Sequence, residues 1–131
     1  MKKTGLSVVS LTAMATVLAV ALMIPKSAYS LAPLGFHWSC YQDTCTFTRT
    51  TNNHSSYKYN FGDGSFSSCT TSGSASHTYS VGYGDFFFTV YFIGYGSSDC
   101  STSPDNIVGC TIEVYNPAIG GAPPVSGDCG P

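Results

Sequence analysis

Beyond the first thirty residues, no segment repeats its apolar positions at the 3.6-residue period of a helix. Short runs rich in Phe, Tyr, Val, Ile and Thr instead alternate with Gly, Ser and Asn clusters, the pattern of a sandwich of short strands. The clearest strand is Phe86 to Ile93. Phe86, Phe88, Val90 and Phe92 share one face, Phe87, Thr89, Tyr91 and Ile93 the other, and period two alone does not say which is the core. Cys110 to Val114 alternates more plainly, with Ile112 and Val114 inward and Thr111 and Glu113 outward. Cys45 to Thr48 and Tyr57 to Phe61 alternate in the same way, the second with Lys58 and Asn60 outward. Asp63-Gly64, directly after Phe61-Gly62, predicts a tight hairpin turn in which both central positions need positive φ. Ser65 to Ser76 then reads as a short edge strand and a loose loop, and Asn116-Pro117 ends the last strand. From Ala118 onward the composition is that of a linker, a tail held only by Cys129.

The first thirty residues are built differently. Lys2 and Lys3 precede an apolar run from Leu6 to Ile24, and Ala28-Tyr29-Ser30 closes it, so residues 1–30 are expected to be a secretory signal cleaved near Ser30. The run also approaches the ~20 residues that span a bilayer, so a retained anchor is the alternative. Without Lys2, Lys3 and Lys26, only Arg49 and Lys58 face seven carboxylates, a net of minus five. No basic stripe is left to neutralise phosphates, which argues against nucleic acid and anionic membrane surfaces as partners. A protein secreted or held at the cell surface or in the periplasm is expected.

About a hundred residues make one domain near the size at which a core alone gives comfortable stability. Covalent ties help such a domain. Cys40, Cys45, Cys69, Cys100, Cys110 and Cys129 all lie beyond the signal, so an oxidising compartment and three disulfides are expected, with roughly fifteen possible pairings. No paired C-x2-C exists, and His37, His54 and His77 stand at no ligand spacing, so neither a metal nor a cofactor is expected.

The block Tyr57-Lys-Tyr-Asn-Phe-Gly-Asp-Gly64, then His77-Thr-Tyr-Ser80, then Gly84-Asp-Phe-Phe-Phe-Thr-Val90 resembles the polycystic kidney disease (PKD) domain pattern of W-D-F-G-D-G, H-T-Y and G-x-Y-x-V-x-L. Phe36 to Phe47 is similar to the opening strands of bacterial extracellular PKD modules, in which two cysteines clip the first turn. The resemblance implies a seven-stranded, Ig-like β-sandwich over residues 34–117, with 118–131 as the tail. It puts Tyr59 in the place of the family's tryptophan and Asn60 in that of its aspartate, and it turns Phe86, Phe88, Val90 and Phe92 into the core. Asp63 and Gly64 then serve the turn, buttressed by His77 and Tyr79, and Phe61 and Gly62 complete the fold signature. The family clip implies Cys40 with Cys45. Cys100 with Cys110 is expected to close the loop between the last strands, which leaves Cys69 for Cys129; a Cys129 bridge between two chains is the alternative. The calcium-binding acidic loop of some family members is Thr51 to Ser56 here and carries no carboxylate, which argues against a calcium site.

Catalysis needs a nucleophile within reach of a base or two titrating groups aimed at one point. His77, Asp63 and a serine can be written as a triad, but the fold already accounts for His77 and Asp63, and no G-x-S-x-G elbow is present. An enzyme is therefore not expected. Phe87, Tyr91 and Ile93 on the outer face, beside Lys58 and Asn60, are the ligand-binding candidates, since rings flanked by amide and hydroxyl groups suit a sugar face or a protein strand. Whether the first strand or the tail covers them is open at this stage, and Tyr83 and Tyr95 are loop candidates. The expected function is extracellular recognition of polysaccharide or of a matrix or surface protein. The alternative is a structural, self-assembling envelope protein that uses the same face or the edge at Ser65 to Thr70.

Overall fold

The computed structural model describes residues 33–131, so the expected signal segment lies outside the described residues. Seven strands form two antiparallel sheets: β1 (Phe36–Tyr41), β2 (Thr44–Arg49), β3 (Ser56–Asn60), β4 (Ser74–Thr78), β5 (Gly84–Tyr95), β6 (Pro104–Asn116) and β7 (Val125–Cys129). The first sheet has the order β4-β2-β1-β7 and the second β3-β5-β6. Among the described residues there is no helix, and the domain is an all-β sandwich.

The alternation seen in the sequence is the alternation of burial. Cys45 and Phe47 of β2 point inward between exposed threonines, and Val90, Phe92, Ile112 and Val114 are fully buried. The long strand therefore turns Phe88, Val90 and Phe92 to the core and Phe87 and Tyr91 to solvent. Aromatic rings fill the middle. Tyr59 stacks on Phe92 at 4.4 Å, meets Phe47 at 5.4 Å and takes the edge of Phe36 at 5.6 Å. Tyr57 lies on the other side of Phe92 at 5.1 Å, with the Arg49 guanidinium 5.2 Å from the Tyr57 ring centre. Burying each such ring removes enough apolar surface to contribute roughly 1.5–3 kcal/mol.

A buried phenol needs a partner for its hydroxyl. Tyr59 donates to the Gly73 carbonyl at 2.8 Å and Tyr79 donates to the Phe61 carbonyl at 2.9 Å. Burial pushes both phenols well above the ordinary tyrosine range, against the opposing field of Arg49 at Tyr59.

The structure corrects several expectations. Cys40–Cys45 clips the β1–β2 hairpin, but the other bridges are Cys69–Cys100 and Cys110–Cys129. The segment from Phe66 to Thr70 runs along β3, bridging Asn60 and Tyr57, and the β5–β6 loop folds back to the same place, so Cys69 meets Cys100. The tail is no linker. Residues Val125–Cys129 pair with β1 throughout, which carries Cys129 to Cys110 of β6. The fourth strand is Ser74–Thr78 rather than a segment nearer Ser65, because the Phe66 to Thr70 stretch touches β3 only at isolated bridges. The chain reverses after Phe61 as expected, yet the positive φ angles fall at Gly62 and Gly64 and not at Asp63. Gly62 is required twice over, since a Cβ there would stand 2.4 Å from the Thr89 carbonyl oxygen. Tyr95 is buried at the end of β5 instead of lying in a loop, whereas Tyr83 is exposed.

Proteolytic mapping of the oxidised protein should yield Cys69–Cys100 and Cys110–Cys129 peptides. Tyr79→Phe, which orphans the buried Phe61 carbonyl, should lower unfolding free energy by about 1–3 kcal/mol in chemical denaturation.

Candidate functional site

The outer face of β3-β5-β6 collects the residues the sequence put forward. The register places Asn60 beside Tyr91 and Lys58 beside Ile93 on one flank of β5. On the other flank Phe87 faces Glu113, Thr89 faces Thr111, Tyr91 faces Gly109 and Ile93 faces Ile107. Phe87 is 67% exposed, Tyr91 42% and Ile107 53%, while Lys58, Asn60 and Ile93 are half-buried between them. Tyr115, diagonal to Phe87, adds a second ring at that end. The first strand and the tail strand both belong to the opposite sheet, so neither covers this face.

Gly109 shapes the centre. A Cβ built there would meet the Tyr91 ring carbons at 2.7 Å, so the tyrosine ring lies across β6 against bare backbone. Lying down in this way leaves a ring face toward solvent. Phe87 and Tyr91 are four residues apart on one strand, about 13 Å at the usual rise per residue. Asn60 has less freedom than its neighbours, because its side-chain oxygen accepts the Gly62 amide at 3.0 Å.

Sequence reasoning missed Ile107, Gly109 and Tyr115. The alternation read from the sequence covers only Cys110 to Val114, whereas β6 starts at Pro104 and so adds the apolar positions that continue the face. The alternation Ile107, Gly109, Thr111, Glu113, Tyr115 was the signal available.

The Asp63–His77 cluster lies elsewhere, at the turn after β3. His77 Nε2 bonds Asp63 Oδ2 at 2.7 Å, its ring stacks on Phe61 at 4.1 Å, and the Tyr79 ring meets it edge-on at 4.6 Å. Ser65 Oγ donates to the other Asp63 oxygen at 2.5 Å and lies 3.4 Å from the same His77 Nε2. In a charge-relay triad, acid and nucleophile sit on opposite ring nitrogens. Here both sit on one nitrogen and the serine proton is already committed to the carboxylate, so the arrangement ties the turn to β4 and builds no relay. At Asp63 burial pulls the carboxyl upward, but the hydrogen bonds from Ser65 and His77 outweigh it and hold the group below its ordinary value.

Beside this cluster, a cleft of about 360 Å³ opens between the Phe66 to Thr70 strip and β4, floored by Phe61 and Ala75 and walled by hydroxyls. Comparison of the whole chain with protein-family models, with curated proteins and with solved structures found no match. The three disulfides point to an oxidising extracellular or periplasmic environment. Among the described residues no helix is long and apolar enough to cross a membrane.

A carboxyl depressed in the folded state adds stability above its unfolded pKa, and that stability disappears as pH falls through the folded value. Asp63→Asn should therefore unfold at a lower temperature than wild type at pH 7, and the gap should close below about pH 4. A gap unchanged by acid in thermal scans would show that the carboxylate charge contributes nothing.

Proposed function

We propose that this chain is an exported, non-catalytic recognition module of the PKD type that binds polysaccharide through the outer face of β3-β5-β6. One observation carries the reading: Phe87, Tyr91 and Ile107 remain uncovered on a single sheet face, where a monomer has no internal use for them. Rings spaced along a strand suit the apolar faces of sugar rings that stand a few units apart in an extended chain, and Asn60, Thr89, Thr111 and Glu113 beside them supply amide, hydroxyl and carboxylate partners for sugar hydroxyls. The F-G-D-G and H-T-Y blocks support the PKD assignment. Their residues meet at one turn, with Tyr79 bonded to Phe61 and His77 to Asp63.

The lysine-rich start and apolar run of residues 1–30 support export, and the disulfides agree with it. Support for a non-catalytic role comes from the Asp63–His77–Ser65 geometry, in which carboxylate and hydroxyl meet the same ring nitrogen and the serine proton is directed to the carboxylate.

The test is retention of the oxidised protein on chitin, cellulose, peptidoglycan and collagen. Wild type should be retained on one of the polysaccharides, and a Phe87→Ala/Tyr91→Ala double variant should lose at least about 1.4 kcal/mol of binding, a tenfold change. Gly109→Val, which removes no aromatic group but lifts the Tyr91 ring, should weaken retention in the same direction. Retention on collagen alone would transfer the face to a protein ligand, and retention on none would sink the recognition reading.

A further inference from the structure

We propose that the open edge of β4 is a homodimer interface, at which β4 of a second copy adds antiparallel so that the four-stranded sheets of two chains run into one. This goes beyond the recognition reading and does not depend on it. Arg49 N–H donates to the Gly73 carbonyl and Tyr79 N–H to the Asp43 carbonyl, while β2 pairs with β4 in unbroken register between those points. Main-chain groups of alternate residues point to the same side of an antiparallel strand. Residues 73, 75, 77 and 79 therefore address β2, and the amides and carbonyls of Ser74, Ser76 and Thr78 point away from it. Among the described residues only the Ser74 amide finds a partner, the Ser72 hydroxyl at 3.3 Å.

Edge strands are ordinarily guarded by lysine, proline, a bulge or a covering segment. The Phe66 to Thr70 strip lies on β3 and is held by Cys69–Cys100, and the Cys110–Cys129 bridge staples β6 to β7. The β4 sequence, Ser-Ala-Ser-His-Thr, carries no such device.

A second copy fits this edge for three reasons. With Ser76 opposite the partner's Ser76, the outward main-chain groups of each chain meet their complements, since Ser74 falls opposite the partner's Thr78. The same register sets hydroxyl against hydroxyl along the exposed face, a favourable cross-strand pairing, and Ala75 against the partner's His77 on the inner face. Finally, the cleft beside this edge is lined by Ser, Thr, Ala, Phe and His, the nearby Asp63 carboxylate is already held by His77 and Ser65, and Phe66 at the border is an aromatic ring left 60% exposed. A two-fold axis through Ser76 closes the assembly at two chains. Two chains present two outer faces, so a repeating polymer would be held with an avidity that one face lacks.

Sedimentation equilibrium of the oxidised protein, as recovered from a secreting host, tests the proposal without any ligand. A concentration-dependent dimer is expected below about 1 mM. Ser76→Pro deletes an amide that faces away from β2 and so leaves the internal ladder whole. It should weaken the dimer at least tenfold, and Phe66→Ser should weaken it in the same direction. Circular dichroism and the denaturation midpoint serve as the check that each variant is folded. A protein that stays monomeric up to about 1 mM, or a dimer that both folded variants leave intact, would overturn the proposal.

Discussion

Tyr59 is the constraint on which the other features depend. Its ring sits between Phe92 of its own sheet and Phe47 of the opposite one, and its hydroxyl reaches the Gly73 carbonyl at the entrance to β4. One side chain thus sets the spacing of the sheets and the place where β4 begins. Tyrosine can do this because the ring is apolar enough to bury and its hydroxyl, which burial would otherwise leave unpaired, finds the Gly73 carbonyl that also accepts the Arg49 amide.

Once β4 is placed, the turn cluster follows. His77 stands on β4 opposite Cys45, and from there its ring covers Phe61 while its nitrogen holds Asp63. The apolar contact and the polar one pull in the same direction, toward a closed turn after β3. Tyr79 adds the second tie through its hydroxyl to the Phe61 carbonyl. A histidine, an aspartate and a serine within hydrogen-bond reach are thus explained by cohesion, and their shared ring nitrogen is what separates a tether from a catalytic relay.

The two surfaces singled out above come from different physical causes. The outer face exists because a three-stranded sheet in a two-layer sandwich has one face with nothing to pack against. Its apolar residues follow from the strand pairing that sets Tyr91 over Gly109 and Ile93 beside Ile107. The β4 edge exists because the sheet stops there, and backbone groups at a terminal strand keep their hydrogen-bonding capacity whatever the side chains are.

Local sequence determined the strands whose side chains alternate. Phe86 to Phe92, Ile112 with Val114, and Cys45 with Phe47 were legible because period two is a property of the strand itself. The outward placement of Phe87, Tyr91 and Ile93 followed from the same periodicity once the core phase was known. Only the tertiary structure decided what depends on distant segments meeting. It joined Cys69 to Cys100 and Cys110 to Cys129, turned the glycine- and proline-rich tail into a paired strand, and extended β6 back to Pro104. Val125-Ser-Gly-Asp-Cys129 has little strand propensity of its own and becomes a strand because β1 offers it an edge. Disulfide partners are likewise chosen by which backbones the sheets bring within reach of each other, a quantity that no local pattern of residues contains.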